Sequence, residues 1–317
     1  MTSLTADTAR AMVRAAHARI QERREEINAL NVFPIPDADT GTNLALTLEA
    51  SARAASALSG NESAGQALMA ISRATILGAR GNSGVIFSQY LRGLARALSG
   101  APQPPDGASL ATALAAAAEA AYGAVDNPVE GTILTVARRA AEGARAAAAD
   151  GNVAAVLRAA AREAGEAVAD TTRLLPQLAQ AGVVDSAGLG LFHVLDAMAE
   201  VAEGRVAPVS SEQRASAAVR AAEEQAAEGV VYGFEVQFVL EGEGLDPQAL
   251  RAALRPLGDS LVVVGDDALL KVHIHAPDAE AVLRAARAFG RPEGVSIANL
   301  DAEILALHEK DGSGPGA

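Results

Sequence analysis

The chain contains no cysteine and no tryptophan, and only 3% of its 317 residues are aromatic. The lack of cysteine excludes disulfides and thiol chemistry. Acidic residues outnumber basic ones, 39 to 26, for a formal net charge of −13. Such a surface repels nucleic acid and anionic lipid, so neither is expected as a partner. No signal-peptide pattern is present, and no apolar run reaches the length of about 20 residues that spans a bilayer. We therefore expect a cytoplasmic protein.

Half of the residues are hydrophobic, and the chain is long enough for two domains. Alanine is abundant and has the highest helix propensity, so closely packed helices are expected. Apolar residues at helical spacing, separated by Gly-, Pro- and Asn-rich breaks, predict eight helices in an all-α domain at residues 1–205. The predicted helices are 4–30, 43–58, 64–77, 83–98, 108–122, 132–149, 153–170 and 187–202.

The composition changes after residues 206–229, which are predicted to form a linker with a polar helix. Residues 230–240 then alternate, with Glu235 and Gln237 on the face opposite Val236 and Phe238. Further strands are predicted at 260–264, 269–275 and 294–298, and helices at 246–257, 277–289 and 299–308. The order βαββαβ is that of a ferredoxin-like α+β fold over residues 230–308, in which the first and third strands are neighbours. Residues 309–317 are predicted to be a flexible tail.

One loop combines two acids with rigid backbone. In Asn31-Val-Phe-Pro-Ile-Pro-Asp37-Ala-Asp39-Thr-Gly-Thr42-Asn43, the acids follow a Pro-x-Pro and precede small residues. Carboxylates on a stiff loop, next to N–H groups that can face a ligand, suit a Mg²⁺–nucleotide site. A metal-free acidic turn is the alternative interpretation.

Three other junctions, at residues 81–84, 130–132 and 185–188, also lie immediately before predicted helices. Each alone is an ordinary helix cap. In an antiparallel bundle, however, alternate junctions share one end, and helix N-termini gathered there bind anions. Together with the two acids, the junctions favour a nucleotide site.

A second cluster is predicted on the sheet. His273 and His275 lie two residues apart on a strand, and Glu235 on the neighbouring strand faces the same, open side. Two histidines and one acid can bind Zn²⁺. A polar dimer interface without metal is the alternative.

The motifs at residues 31–43, 78–89, 130–134 and 181–191 resemble the DhaL-type nucleotide-binding domain of the dihydroxyacetone kinase family, and most closely the bacterial fatty acid kinase (FakA) family. The resemblance implies an antiparallel eight-helix barrel that holds ATP or ADP and two Mg²⁺ ions at one end. A homodimer is also expected. The second domain resembles the middle domain of that family, which would bind Zn²⁺ through a His-x-His pair and a cysteine. Glu235 stands at the cysteine position, and a carboxylate is a harder ligand than a thiolate.

The resemblance also assigns residue roles. Asp37 and Asp39 would bind Mg²⁺, with an amide oxygen from Asn31, and Arg80 would either supply positive charge or be solvated. Ala38 stands where the family usually has glycine, which costs roughly 1 kcal/mol if φ is positive. Asp185-Ser-Ala-Gly188 also departs from the common Asp-Ala-Gly-Gly. The implied contacts to phosphate, metal or the adenosine loop are Thr42, Asn43, Asn82, Ser83, Gly84, Thr132, Asp185 and Gly188.

The implied activity is that of an ATP-binding kinase component, which transfers the γ-phosphate to a fatty acid carboxylate held by a DegV-type carrier protein. A carboxylate is already ionised at neutral pH, so this transfer requires no catalytic base. The alternatives are a non-catalytic ADP/ATP-binding regulatory module, a metal-dependent hydrolase, or the nucleotide-binding part of a dihydroxyacetone-type or other small-molecule kinase. The family also carries a C-terminal domain for carrier binding that is not recognised here, so kinase activity of the chain alone is in question.

Overall fold

The computed structural model describes residues 1–205 and 233–310. The predicted linker helix and nearly all of the predicted tail lie outside these residues. The first part is helical, in agreement with the all-α prediction. Its ten α-helices are α1 (Ala6–Glu22), α2 (Arg24–Asn28), α3 (Thr40–Ala57), α4 (Ala64–Gly78), α5 (Gly81–Gly100), α6 (Gly107–Ala124), α7 (Ile133–Ala146), α8 (Val153–Leu174), α9 (Pro176–Ala181) and α10 (Ser186–Ala202).

Two differences from the predicted helices have local causes. The predicted helix at 4–30 is interrupted at Arg23, where ψ is 6° and α2 begins without a glycine or proline to mark the break. The short α9 was not predicted because six residues are too few to show a periodic pattern. Pro176 starts α9, and Gly182, at a φ of +65°, ends it.

Small side chains allow the helices to approach closely. Alanines of α6, α7 and α8 are buried in one core with leucines and valines from the other helices. At Gly93 of α5, an added Cβ would lie 2.5 Å from the carbonyl oxygen of Ala116 in α6. The alanine-rich composition is therefore used for dense packing. None of the helices within the described ranges has the length and apolarity needed to cross a bilayer.

The second part is a small α+β domain. Its elements are β1 (Phe234–Glu241), α11 (Pro247–Leu254), β2 (Asp259–Gly265), β3 (Leu269–Ala276), α12 (Ala279–Ala286), β4 (Pro292–Asn299) and α13 (Leu300–Lys310). The four strands form an antiparallel sheet in the order β2-β3-β1-β4. The predicted pairing of the first and third strands is confirmed, and it places Glu235 opposite His275 and Gln237 opposite His273.

One face of the sheet packs against α11 and α12 around Val236, Phe238, Val272 and Ile274. The other face was predicted to be open, and that prediction is wrong, because this face packs against the helical domain. Its apolar residues contact the ends of α4 and α6 and the start of α5. These contacts join Val262 and Val264 to Ala79, Val85 and Ala124, and Val239 and Leu269 to Ile76.

Candidate functional site

A cavity of about 290 Å³ lies between the two domains. The helical domain contributes the acidic loop and several helix starts, and the sheet contributes Glu235, His275 and residues 260–262. Most of the predicted site residues meet here, although they lie far apart in the sequence. The predicted residues that line the cavity are Asn31, Asp37, Asp39, Asn43, Asn82, Ser83, Thr132, Asp185, Glu235 and His275.

Four helices begin at the cavity: α3, α5, α7 and α10. Their N-caps are Asp39, Arg80, Thr132 and Asp185. The predicted gathering of helix N-termini at one end is therefore observed. Unpaired N–H groups and aligned helix dipoles give this wall of the cavity a preference for anions.

The acidic loop is fixed by amide side chains. The Asn31 amide nitrogen donates to Asp37 over 3.0 Å, while its oxygen accepts from the backbone N–H and the hydroxyl of Thr40. The Asn43 amide donates to Asp39 over 2.6 Å. With its oxygen bonded to Thr40, Asn31 orients Asp37 in this arrangement. Its role as a metal ligand stays a prediction.

Ala38 has a φ of +54°, in the left-handed region. Glycine adopts this conformation without steric cost and alanine does not, so Ala38 carries the strain anticipated from the sequence. The loop nevertheless keeps both neighbouring carboxyls on the cavity.

The carboxyls of the loop repel one another. Burial raises the pKa of Asp37 well above its usual range, and the charges of Asp39 and Glu235 raise it further. Burial, followed by the charge of Glu235, raises the pKa of Asp39 to about 6. Converging carboxyls in a poorly solvated cavity are a suitable donor set for a divalent cation, which would remove the repulsion.

The start of α5 lies beside the loop. Gly81 has a φ of +59°, and an added Cβ would lie 2.2 Å from the Asn43 amide nitrogen. Asn82 and Ser83 line the cavity, and the buried Asn82 amide oxygen has no hydrogen-bond partner in the described part of the chain. Gly84 instead allows α5 to approach α3, since an added Cβ would lie 2.3 Å from the Thr47 hydroxyl.

The starts of α7 and α10 also line the cavity. Thr132 caps α7 through the Leu134 N–H, and Asp185 caps α10 by accepting from Gly188 N–H over 2.7 Å. Burial raises the pKa of Asp185 to about 7. Gly188 does not line the cavity; an added Cβ there would lie 2.8 Å from Val136.

Two further predicted residues point elsewhere. The Thr42 hydroxyl and N–H bond to Asn28, so this side chain stabilises the junction of α2 and α3. The Arg80 guanidinium is exposed outside the cavity and donates to the Ala79 carbonyl over 3.4 Å. Their proposed contacts with phosphate remain predictions.

Glu235, His273 and His275 form one compact group whose candidate ligand atoms all lie within 4.8 Å of one another. The Nε2 atoms of the two histidines are 3.0 Å apart, and each ring has a nitrogen 3.9 Å from Glu235 Oε2. Burial lowers the pKa of His273 to about 3 and of His275 to about 4, so both rings are neutral at pH 7. Neutral rings keep a lone pair for a metal, so these residues fit one.

The sequence interpretation missed Lys271 and the sheet residues that cover the cavity. Lys271 precedes the histidines on the same strand face, is only 1% exposed, and has a pKa lowered to about 8 by burial and by the charge of Arg80. Its position two residues before His273 could have placed it on that face. Residues 260–262 and 125–127 carried no comparable signal in the sequence.

Comparison with known proteins identifies the family of each domain. Residues 34–200 match the DAK2 domain, and residues 231–306 match the middle domain of FakA-like fatty acid kinase proteins. Protein YloV of Bacillus subtilis is 35% identical over 91% of the chain and 54% of its own length. An uncharacterized protein of Staphylococcus haemolyticus is 32% identical over 86% of the chain and 51% of its own length. The chain thus spans about half the length of these curated relatives.

Among solved structures, the dihydroxyacetone kinase of C. freundii in complex with AMP-PNP and Mg²⁺ is similar, with a TM-score of 0.46 and 22% identity. The similarity covers 63% of this chain and 34% of the kinase chain. The two family matches account for both domains. The chain belongs to the DAK2 domain family and joins its DAK2 domain to a middle domain of the FakA-like fatty acid kinase type.

Proposed function

We propose that this chain is the Mg²⁺·ATP-binding component of a kinase. The observation that carries the proposal is the convergence of Asp37 and Asp39 with four helix N-termini on one cavity. Helix N-termini suit phosphate groups, and the two carboxyls suit the cations that accompany them. With a net charge of −13, the protein needs such local neutralisation to hold a polyphosphate.

Asp37 and Asp39 would hold Mg²⁺, two ions in the resembled family, with Asn43 and Asn31 fixing the carboxyls. The chemistry that bound Mg²⁺ would supply is positive charge to offset the negative charge that develops on the phosphates. Gly81, Asn82 and Ser83 would face the phosphates. The adenosine would lie towards Asp185, where the cavity wall includes Ile133 and Leu134 and is largely apolar.

For the reaction, we propose transfer to a fatty acid carboxylate presented by a DegV-type carrier. A carboxylate oxygen attacks the γ-phosphorus, the bond from that phosphorus to the β,γ-bridging oxygen breaks, and acyl phosphate and ADP result. Residues of this chain would contribute positioning, helix N-termini that face the phosphates, and a poorly solvated cavity. We propose a fatty acid carboxylate rather than another phosphate acceptor because residues 231–306 match the middle domain of the fatty acid kinase type.

We also propose that the helical part is an eight-helix barrel with two accessory short helices, α2 and α9, and that the sheet domain is ferredoxin-like. The strand order β2-β3-β1-β4 and the βαββαβ element order of the sheet domain support the ferredoxin-like assignment. The proposed domain limits are 1–205 and 230–308. We also propose that the protein forms a homodimer.

The proposal is tested by calorimetric titration of ATP with and without Mg²⁺, followed by a phosphate-transfer assay with a fatty-acid-loaded DegV-type protein. Mg²⁺-dependent binding with transfer establishes the kinase. Binding without transfer would indicate a nucleotide-binding regulatory module. Absence of ATP binding under both conditions would refute the nucleotide site altogether.

A further inference from the structure

Glu235 belongs to two groups of ligands at once. It lines the cavity together with Asp37 and Asp39, although it comes from the other domain. Its Oε2 atom also lies 3.9 Å from a ring nitrogen of both His273 and His275. The geometry therefore connects the histidine pair on the sheet to the acidic loop of the helical domain through one carboxylate.

Buried polar atoms around Glu235 lack partners. The Nδ1 atoms of His273 and His275 and the amide oxygen of Gln237 are buried without a hydrogen-bond partner among the residues that the structure describes. Such atoms are costly unless something satisfies them. A divalent cation held beside Glu235 would satisfy the unpartnered Nδ1 of His273, which lies 3.9 Å from Glu235 Oε2. The second nitrogen ligand would be Nε2 of His275, which lies 3.9 Å from the same oxygen.

The charges around the cavity lead to the same conclusion. Asp37, Asp39 and Glu235 bring three carboxyls together on one cavity. Lys271 is the basic residue on this face of the sheet, and no carboxylate in the described ranges lies within ion-pair distance of it. A polyphosphate entering the cavity therefore meets the charge of Glu235 unless that charge is neutralised.

We propose that Glu235 couples the two sites: a divalent metal held by Glu235, His273 and His275 increases the affinity of the Asp37/Asp39 cavity for the phosphates of a nucleotide. This inference rests on the proposed function, because it requires a nucleotide in the cavity. The bound metal would neutralise the negative charge of Glu235, which would otherwise face the phosphates. It would also hold the Glu235 side chain in one position. Metal occupancy of the second domain thus regulates nucleotide binding in the first.

The experiment uses the full chain stripped of metal, and the same protein reloaded with Zn²⁺ and dialysed. ADP is titrated into both at a fixed excess of Mg²⁺, and retained zinc is measured by elemental analysis. In the wild-type protein, zinc should tighten ADP binding by about tenfold, within the range of ordinary coupling between sites. This comparison requires no variant to fold.

Glu235→Gln removes the negative charge but keeps the hydrogen bond, because the new amide oxygen still accepts from the Gln237 amide. The variant therefore tests the effect of the charge alone. The variant should bind ADP without zinc about as tightly as the zinc-loaded wild type, and added zinc should then change nothing. Glu241→Gln, at the exposed end of the same strand, is the matched control and should behave as wild type.

Two results would overturn the coupling while leaving the proposed function intact: retention of no zinc by the wild type, or equal ADP affinity with and without zinc. If neither preparation bound ADP, the proposed function would fail, and the coupling with it. His275→Asn gives an independent check, since it should lose zinc and remain at the affinity of the metal-free wild type.

Discussion

Ala38 shows how a single residue can carry strain at a ligand-binding loop. Its φ of +54° lies in a region that alanine rarely adopts, and its neighbours on both sides are the proposed metal ligands. The sequence predicted an energetic cost at Ala38 only on the condition that its φ is positive, because the resembled family has glycine there. The sign of φ itself depends on how Asn31, Thr40 and Asn43 fix the loop, which no local pattern reveals.

Ala38→Gly should stabilise the protein by about 1 kcal/mol, because glycine adopts a positive φ without steric cost. Urea unfolding without metal measures the change. Ala169→Gly, at an exposed position inside α8, is the matched control and should destabilise by about 1 kcal/mol. A loss of stability in Ala38→Gly similar to that of the control would show that the left-handed conformation is not adopted.

Asp37→Asn should abolish Mg²⁺-dependent nucleotide binding and, at the same time, raise the melting temperature of the metal-free protein. The amide cannot supply an anionic ligand, but it also removes one of the mutually repelling carboxyls. Calorimetry and thermal melts measure the two effects. An ATP affinity within about twofold of wild type, only about 0.4 kcal/mol, would contradict the assignment of Asp37 as a metal ligand.

Asp185 should make stability depend on pH. Its pKa is raised from 3.8 to about 7 by burial, so the folded state binds more protons than the unfolded chain between these values. Its contribution is therefore fully present below about pH 4 and is lost as pH rises through 7, with a slope of up to about 1.4 kcal/mol per pH unit.

Asp185→Asn should remove this dependence while keeping the helix cap, since asparagine also accepts from the Gly188 N–H. The difference between variant and wild type, measured by urea unfolding from pH 5 to 8, should grow in favour of the variant as pH rises. A constant difference across this range would show that Asp185 does not titrate as described.

At the scale of elements, the sequence predicted most helices and all four strands because their patterns are local. Periodicity identifies a helix of several turns, and alternation identifies a half-buried strand. The break at Arg23 and the short α9 were missed for lack of such a pattern. The burial of the polar sheet face was also missed, because Glu235, Gln237 and the two histidines alternate in the same way whether they face water or another domain.

The loop between α6 and α7 connects the domains through charge. Asp126 lies 3.2 Å from Arg251 and 2.9 Å from Arg255, both in the second domain. Asp126→Ala should destabilise by about 1 kcal/mol, as expected for a partly exposed ion-pair network, and should reduce hydrogen-exchange protection in β2. Glu280→Ala, which breaks the exposed ion pair with Arg287, is the control. It should leave the stability and the hydrogen-exchange protection of β2 unchanged. Unaltered protection of β2 in Asp126→Ala would argue against this connection.

At the scale of the whole molecule, apolar contact holds the domains together. Val262 is 2% exposed and packs against Ala79, Val85 and Ala124. Val262→Asp should separate the domains, because it buries an unpaired charge at their junction while leaving the core between sheet and α11 intact. Small-angle scattering should show a larger radius of gyration, and nucleotide affinity should fall.

Val295→Asp, on the exposed strand β4, is the control for this change and should preserve the radius of gyration of the wild type. An unchanged radius in Val262→Asp would show that the apolar contact does not determine how the domains associate. Retained secondary structure by circular dichroism is required for either comparison.

The sheet domain forms part of the cavity surface, since residues 260–262 of β2 line it. There, Val262 of the sheet domain forms an isolated β-bridge with Val125 of the helical domain. A nucleotide bound in the cavity, as proposed, would contact residues of both domains at once. Binding of the nucleotide and association of the domains would then stabilise each other, so that bound nucleotide would also protect the domain junction from local opening.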